Sequence, residues 1–244
     1  MELIVLGSSS KGNGYLITNG KESLLLEAGV KFDLIEAALE HDISSVQGCL
    51  ITHEHGDHFK YHKKYAQHGI ELFASKGTSM KSDININHIK PNISFKIGNF
   101  KIMPFDVEHD ANEPLGFYIN HPEMGNLVFL TDTHYSKYVF PKVNHFIVET
   151  NNVESILIDR LCKKEIEHFL YNRVVTSHMS LETCIRMLKS NDLTNVINIV
   201  AIHLSSDNSD AKTIESELIS HTGKNVHIAK KGLKVNLNVN PFIC

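Results

Sequence analysis

The sequence predicts an α/β fold of two mixed sheets with helices on their outer faces. Three observations lead there. Short apolar runs, many of them β-branched and bounded by Gly, Asn or Pro, recur from one end of the chain to the other. Helical periodicity occurs only in single segments set between those runs. No repeat, low-complexity stretch or linker interrupts the 244 residues, a length that α/β domains reach undivided, so one domain over 1–244 is expected.

Strands are expected, in order, over 3–6, 14–18, 23–27, 48–52, 70–74, 93–97, 100–105, 116–119, 127–131, 145–149, 197–203, 226–229 and 233–239. The first helical pattern runs through Phe32, Ile35, Ala38 and Leu39. A longer one, over 153–171, runs through Ile156, Leu157, Leu161, Ile166, Phe169 and Leu170. The third has Leu181, Cys184, Ile185 and Leu188 on one face, with Ser180 placed as N-cap. The fourth joins Ile214, Leu218 and Ile219 and is closed by Gly223.

Composition removes several classes of function. The chain is 42% hydrophobic with no stretch long enough to span a bilayer. Met1-Glu2-Leu3-Ile4-Val5-Leu6 has no basic region before its apolar run, so it reads as a first strand and not as a secretion signal. Cys49, Cys162, Cys184 and Cys244 show no C-x-x-C spacing, and buried free thiols in a reducing cytoplasm are expected. A net charge of −4 does not fit a globally basic nucleic-acid binder, so a polyanion would be held by a local patch and by metal ions. The chain has no Trp, which weakens the case for an extended base-stacking platform.

The most informative segment is His53-Glu54-His55-Gly56-Asp57-His58, which follows the apolar strand ending Cys49-Leu50-Ile51-Thr52. Imidazole and carboxylate are ligands that borderline divalent metals prefer, and a loop leaving a strand can fan such side chains toward two neighbouring ions. Three further strand ends carry one candidate each: His109 after the run ending at Phe105, Asp132 after 127–130, and His203 after 198–202. Singly, each reads as a turn former or a satisfied polar group. Together they repeat one pattern, an apolar strand with a ligand at its end, which is how sites at the edge of α/β sheets are built.

These residues resemble the hallmark of the metallo-β-lactamase-fold superfamily, His-x-His-x-Asp-His followed by a His, an Asp and a final His. Within it the chain looks most like the bacterial YycJ/WalJ-like branch, which resembles DNA exonucleases. That closer likeness is carried by Gly7-Ser8-Ser9-Ser10-Lys11-Gly12-Asn13, His109-Asp110-Ala111-Asn112-Glu113-Pro114, Thr131-Asp132-Thr133, Glu149-Thr150-Asn151, Ser177-His178-Met179-Ser180 and Ala201-Ile202-His203-Leu204-Ser205. The resemblance implies an αββα sandwich. It also implies that His53, His55 and His109 hold one metal, that Asp57, His58 and His203 hold a second, and that Asp132 bridges both. Two departures stand out. Glu27 replaces the Asp usual in its strand and adds a methylene to a residue that orients a ligand. Leu181 follows Ser180 where the branch has Asn.

Two ions about 3.5–4 Å apart would share a water and make it a hydroxide nucleophile near neutral pH. Asp57 and His178 are taken as the catalytic residues. His178 would protonate the leaving oxygen or clamp a phosphate; the competing reading has it cap the helix that starts at Ser180. Glu27, Ser9, Asn13 and Arg173 are candidates for supporting the ligands or meeting substrate. Ser9 and Asn13 belong to a Gly/Ser-rich turn that could cradle an anion but is first of all a tight turn. Lys60, Lys63 and Lys64 read as a solvated helix face before a nucleic-acid track, and His134 as a neighbour of Asp132.

The expected activity is that of a dinuclear metal-dependent phosphodiesterase, in first place a DNA exonuclease acting on single strands. The alternatives are a cyclic-nucleotide phosphodiesterase of the same fold and a non-catalytic metal-binding module. Zn2+ is the expected metal from the His-rich ligand set, with Mn2+ or Fe2+ as alternatives.

Overall fold

A computed structural model describes residues 1–240; Cys244 lies outside the described residues. In chain order the elements are β1 (Glu2–Gly7), β2 (Gly14–Thr18), β3 (Ser23–Leu26), α1 (Asp33–Ala38), β4 (Val46–Leu50), α2 (Gly56–Phe59), α3 (His62–Gln67), β5 (Leu72–Ala74), α4 (Lys76–Ser79), β6 (Asn87–His88), β7 (Phe95–Ile97), β8 (Phe100–Asp106), β9 (Leu115–His121) and β10 (Gly125–Leu130). They continue with β11 (His145–Glu149), α5 (Glu154–Cys162), α6 (His168–Ser177), α7 (Leu181–Lys189), β12 (Asn198–Ile202), α8 (Ala211–Thr222), β13 (Asn225–Ile228) and β14 (Lys234–Asn236). The strands fall into two mixed sheets of seven, the α/β class expected. The chain divides into two compact units, one of Met1–Asp106, Ala111–Asn126 and the segment from Ala229, the other of Val107–Asp110 and Leu127–Ile228. Among the described residues no helix is long and apolar enough to cross a membrane.

In the first unit, β14, β1, β2 and β3 pair antiparallel, and β3 through β6 continue in parallel. The parallel part positions chemistry, because parallel neighbours release their C-terminal ends on one edge of the sheet. Leu26 pairs with Leu50, so Glu27 leaves β3 beside the segment leading from β4 into the histidine motif. The core below is apolar on every element. Leu16, Leu25 and Cys49 from the strands and Ile51 just after β4 meet Ile35 of α1 and Tyr65 of α3, all at 0% exposure. Strands β7, β8 and β9 form an antiparallel meander.

In the second unit, β10, β11, β12 and β13 are all parallel. Strands β11 and β12 are buried along their whole length, as expected for strands covered on both faces. Glu149 pairs with Ile202, so the ends of β11 and β12 emerge level. On α7, Leu181, Cys184, Met187 and Leu188 are buried; on α8, Ile214 and Leu218 are. Helix α8 ends at Gly223, which takes φ 65°, a left-handed cap that glycine adopts without strain.

Three expectations change. The periodic stretch 153–171 is two helices, because Lys164 turns left-handed at φ 58° and Glu165 N–H bonds back to the Arg160 carbonyl at 2.9 Å. Helices α5 and α6 then bury Leu157, Ile166 and Val174 in one small apolar cluster. Cys162, at the end of α5, is exposed, whereas Cys49 and Cys184 are buried free thiols. Elements α2, α4 and β6 span four residues or fewer, too short to show a period.

Candidate metal centre

In the first unit the histidine motif is suspended from neighbouring loops by its backbone. Asn13 N–H bonds the Asp57 carbonyl at 2.7 Å and Ala28 N–H bonds that of His58 at 2.8 Å. The loop after β3 lies so close that a Cβ on Gly29 would fall 1.6 Å from the Asp57 carbonyl oxygen, so only glycine fits there. His55 starts the single-turn helix α2, its carbonyl accepting from His58 and Phe59 N–H, both at 2.9 Å.

The side chains form a chain of hydrogen bonds that ends on Glu27, itself 0% exposed. Thr52 donates its hydroxyl to Glu27 Oε1 at 2.6 Å. That hydroxyl therefore accepts from His53 Nδ1, 2.9 Å away. The assignment leaves the lone pair of His53 on Nε2, which lies 3.1 Å from His55 Nδ1. Glu27 Oε1 also lies 3.4 Å from His58 Nδ1. On the other side of that ring, Asn13 Nδ2 reaches His58 Nε2 at 3.0 Å and donates to Asp57 Oδ2 at 3.1 Å. Carboxylate and amide partners of this kind fix tautomer and ring orientation in metal sites. Glu27, with the extra methylene, thus backs two of the motif's imidazoles.

In the second unit Asp132, Glu149 and His203 sit where parallel strands end, His109 follows β8 and His178 follows α6. Asp132 follows β10 and His203 follows β12, and both take left-handed backbone, φ 47° and 55°; Glu27 does the same after β3 at φ 70°. For residues with a Cβ that conformation costs about 1–2 kcal/mol each, and such outliers gather at functional sites. Glu149, the last residue of β11 and 0% exposed, accepts four N–H groups. His178 Nδ1 is 2.6 Å from Oε1 and His203 Nδ1 3.1 Å. Thr133 N–H reaches Oε2 at 3.1 Å and Met179 N–H at 3.3 Å.

Asp132 Oδ1 is 3.3 Å from His203 Nδ1 and its Oδ2 is 3.7 Å from His109 Nε2. His109 Nδ1 meets the Ser177 carbonyl at 3.1 Å, which turns its other nitrogen toward Asp132. Burial pushes the Glu149 carboxyl up, but the charge of His178 and the imidazole hydrogen bonds overcome burial and the Asp132 charge and hold it below the usual range. Burial likewise lowers His178, and Glu149 more than reverses this, so its imidazole titrates above the ordinary value. Asp132, Glu149, His178 and His203 each offer an atom within 4.8 Å of the others, a group able to hold a metal ion.

The other predicted residues separate clearly. Asn13 and Glu27 contact the motif as described. The Ser9 N–H bonds Asn13 Oδ1 at 3.1 Å, so Ser9 braces the turn. Arg173 is exposed on α6, and its guanidinium makes no hydrogen bond or ion pair among the described residues. Lys63 pairs with Asp83 at 2.6 Å, and Lys60 and Lys64 are exposed. The cap of α7 is Ser180, which accepts from Thr183 N–H at 3.1 Å, and not His178. Glu149 is the site residue that sequence reasoning missed. It ends an apolar strand just as Asp132 and His203 do, so the same rule would have found it.

A family model described as "Beta-lactamase superfamily domain" matches residues 25–204. The chain is 32% identical over 173 residues to Exodeoxyribonuclease YycJ of Bacillus anthracis, a match covering 64% of this chain and 65% of that protein. It is 29% identical over 171 residues to Exodeoxyribonuclease WalJ of Streptococcus pneumoniae, covering 63% of each. The matches thus span less than two thirds of these relatives' length. The crystal structure of the metallo-beta-lactamase fold protein YhfI from Bacillus subtilis superposes with a TM-score of 0.74 over 96% of this chain and 98% of that one; at 15% identity the likeness is one of fold. The chain belongs to the beta-lactamase superfamily, on the side of it that resembles YycJ and WalJ.

Proposed function

We propose that this protein is a metal-dependent phosphodiesterase that removes nucleotides from an end of DNA. The carrying observation is the buried concentration of imidazole and carboxylate at strand ends, braced by Glu27 in one unit and Glu149 in the other. Family membership supports the hydrolase reading, and the likeness to two proteins named exodeoxyribonuclease supports the substrate.

The proposed ligands are His53, His55 and His109 for one ion and Asp57, His58 and His203 for a second, with Asp132 serving both. The donor set fits the group. The ring nitrogens of His53 and His55 stand 3.1 Å apart, close enough to converge on one cation, and three imidazoles and a carboxylate in the motif suit Zn2+, with Mn2+ and Fe2+ next. When bound, two divalent ions supply neutralisation of phosphate charge and a lowered pKa for water.

The protein's residues do the rest. Asn13 and Glu27 flank His58 from opposite sides, and Asn13 also holds Asp57. Glu149 holds His203 and His178 through the Nδ1 of each, which leaves Nε2 of His178 to give a proton to the departing oxygen. The test is hydrolysis of end-labelled single- and double-stranded DNA with and without chelator, followed by addition of Zn2+, Mn2+ or Fe2+. The reading expects mononucleotides released from one end of the single strand, abolished by chelator and restored by one of the ions. No release with any ion would overturn it.

A further inference from the structure

A cavity of about 360 Å3 lies in the second unit beside His178. One side of it is apolar, formed by Leu157 and Ile158 of α5 with Tyr171 and Val175 of α6. Ile158 and Val175 are 48% and 44% exposed, while Leu157 is 1% exposed.

Asn152 and His134 line the cavity as well, and both carry a buried nitrogen with no hydrogen-bond partner among the described residues, Nδ2 of Asn152 and Nδ1 of His134. Asn152 is 1% exposed. Buried polar groups are almost always satisfied, so an amide N–H left over on a residue that lines a cavity calls for a partner. The hydroxyl of Ser180 is already used, accepting from Thr183 N–H at 3.1 Å and donating to Glu154 Oε1 at 2.8 Å.

We propose that this cavity receives a nucleobase of the substrate, attached to the phosphoryl group on which His178 acts. The volume suits a ligand of nucleoside size, near the lower end of small-molecule sites. Tyr171 and the apolar wall offer a face for a flat ring, and Asn152 Nδ2 offers a donor to a ring carbonyl or ring nitrogen.

The inference rests on the phosphodiesterase reading for its substrate, and the test separates the two. Two chromogenic esters are compared, thymidine 5′-(p-nitrophenyl phosphate), which carries a base, and methyl p-nitrophenyl phosphate, which carries none. Asn152→Ala removes the free donor, and Val175→Trp fills the mouth from an exposed position where folding tolerates it. Each variant is expected to lower the ratio of kcat/KM for the thymidine ester over the methyl ester about five- to tenfold, the size of one lost base contact. A ratio unchanged in both variants overturns the proposal. Should the wild type hydrolyse neither ester, the phosphodiesterase reading is decided by the DNA assay alone. The cavity is then judged by equilibrium dialysis with thymidine, adenosine, guanosine and cytidine. Binding that Val175→Trp weakens about tenfold sustains the site, and binding of none of them ends it.

Discussion

Replacing Glu149 by Gln removes one charge and almost no volume from the point where three segments of the second unit meet. Glu149 accepts on both oxygens, from two imidazoles on Oε1 and two backbone N–H groups on Oε2. A carboxamide keeps one oxygen, so its NH2 faces either the two backbone N–H groups or the two imidazoles, which can accept only by shifting tautomer. Each buried donor left without an acceptor costs about 1–3 kcal/mol. Relief of the repulsion between Glu149 and Asp132 offsets part of that sum. The expected net loss is about 3 kcal/mol, in line with breaking a buried charged pair, or a fall in Tm of roughly 6–12 °C for a chain of this size. Urea unfolding of chelator-treated protein measures it, with the slope unchanged and the midpoint lowered. Because Glu149 orients His203, metal affinity should also fall roughly 10–100-fold. A variant within about 0.5 kcal/mol of wild type and equally tight for metal would refute the idea that Glu149 organises the cluster.

Three other perturbations follow from the same contacts. His178→Ala should keep its metal and lose roughly 10²–10⁴ in turnover, the size of a lost proton-transfer group; metal analysis and single-turnover hydrolysis measure the two effects, and unchanged turnover would remove His178 from the chemistry. Gly29→Ala puts a methyl group 1.6 Å from the Asp57 carbonyl oxygen and should cost more than about 4 kcal/mol and empty the motif of metal; a stable, metal-loaded variant would show that the loop gives way. Burial lowers the pKa of His62, whose Nδ1 faces the Phe59 carbonyl at 2.6 Å and whose Nε2 meets Ser82 Oγ at 2.8 Å. The fold therefore favours the neutral ring. Its stabilising effect is present above the ordinary histidine range and is lost as pH falls from about 6.5 toward the lowered value. Unfolding midpoints of wild type and His62→Gln between pH 7.5 and 5.5 test this, and parallel curves would contradict it.

What was legible in the sequence was the pattern of strand ends. The runs before Thr52, Asp132 and His203 are apolar and bounded, and each delivers a polar side chain to the end of a parallel strand, as β3–β4 and β10–β12 do. Glu27 and Asn13 are candidates in the sequence for supporting ligands or meeting substrate, and in the structure an oxygen of Glu27 faces Thr52 and His58 while one Asn13 amide faces both Asp57 and His58. Glu149 escaped because it counts as the last residue inside its strand and the strand-end rule was applied to residues beyond the strand; that four N–H groups from distant segments meet it is set by tertiary structure. The left-handed turns at Glu27, Asp132 and His203 were equally silent, since none is glycine and tertiary contacts hold them there. The break between α5 and α6 was lost for a related reason. Residues on either side keep one apolar period, and only the polar Lys163-Lys164-Glu165 marks the turn.

The central claim is that side chains from separate strand ends grip a pair of divalent ions. Elemental analysis of the full chain, purified and then dialysed after loading with Zn2+, measures it directly. The account predicts about two ions per chain, with Asp132→Ala unable to retain the pair. A wild-type protein that retains no ion after loading with Zn2+, Mn2+ or Fe2+ would contradict it.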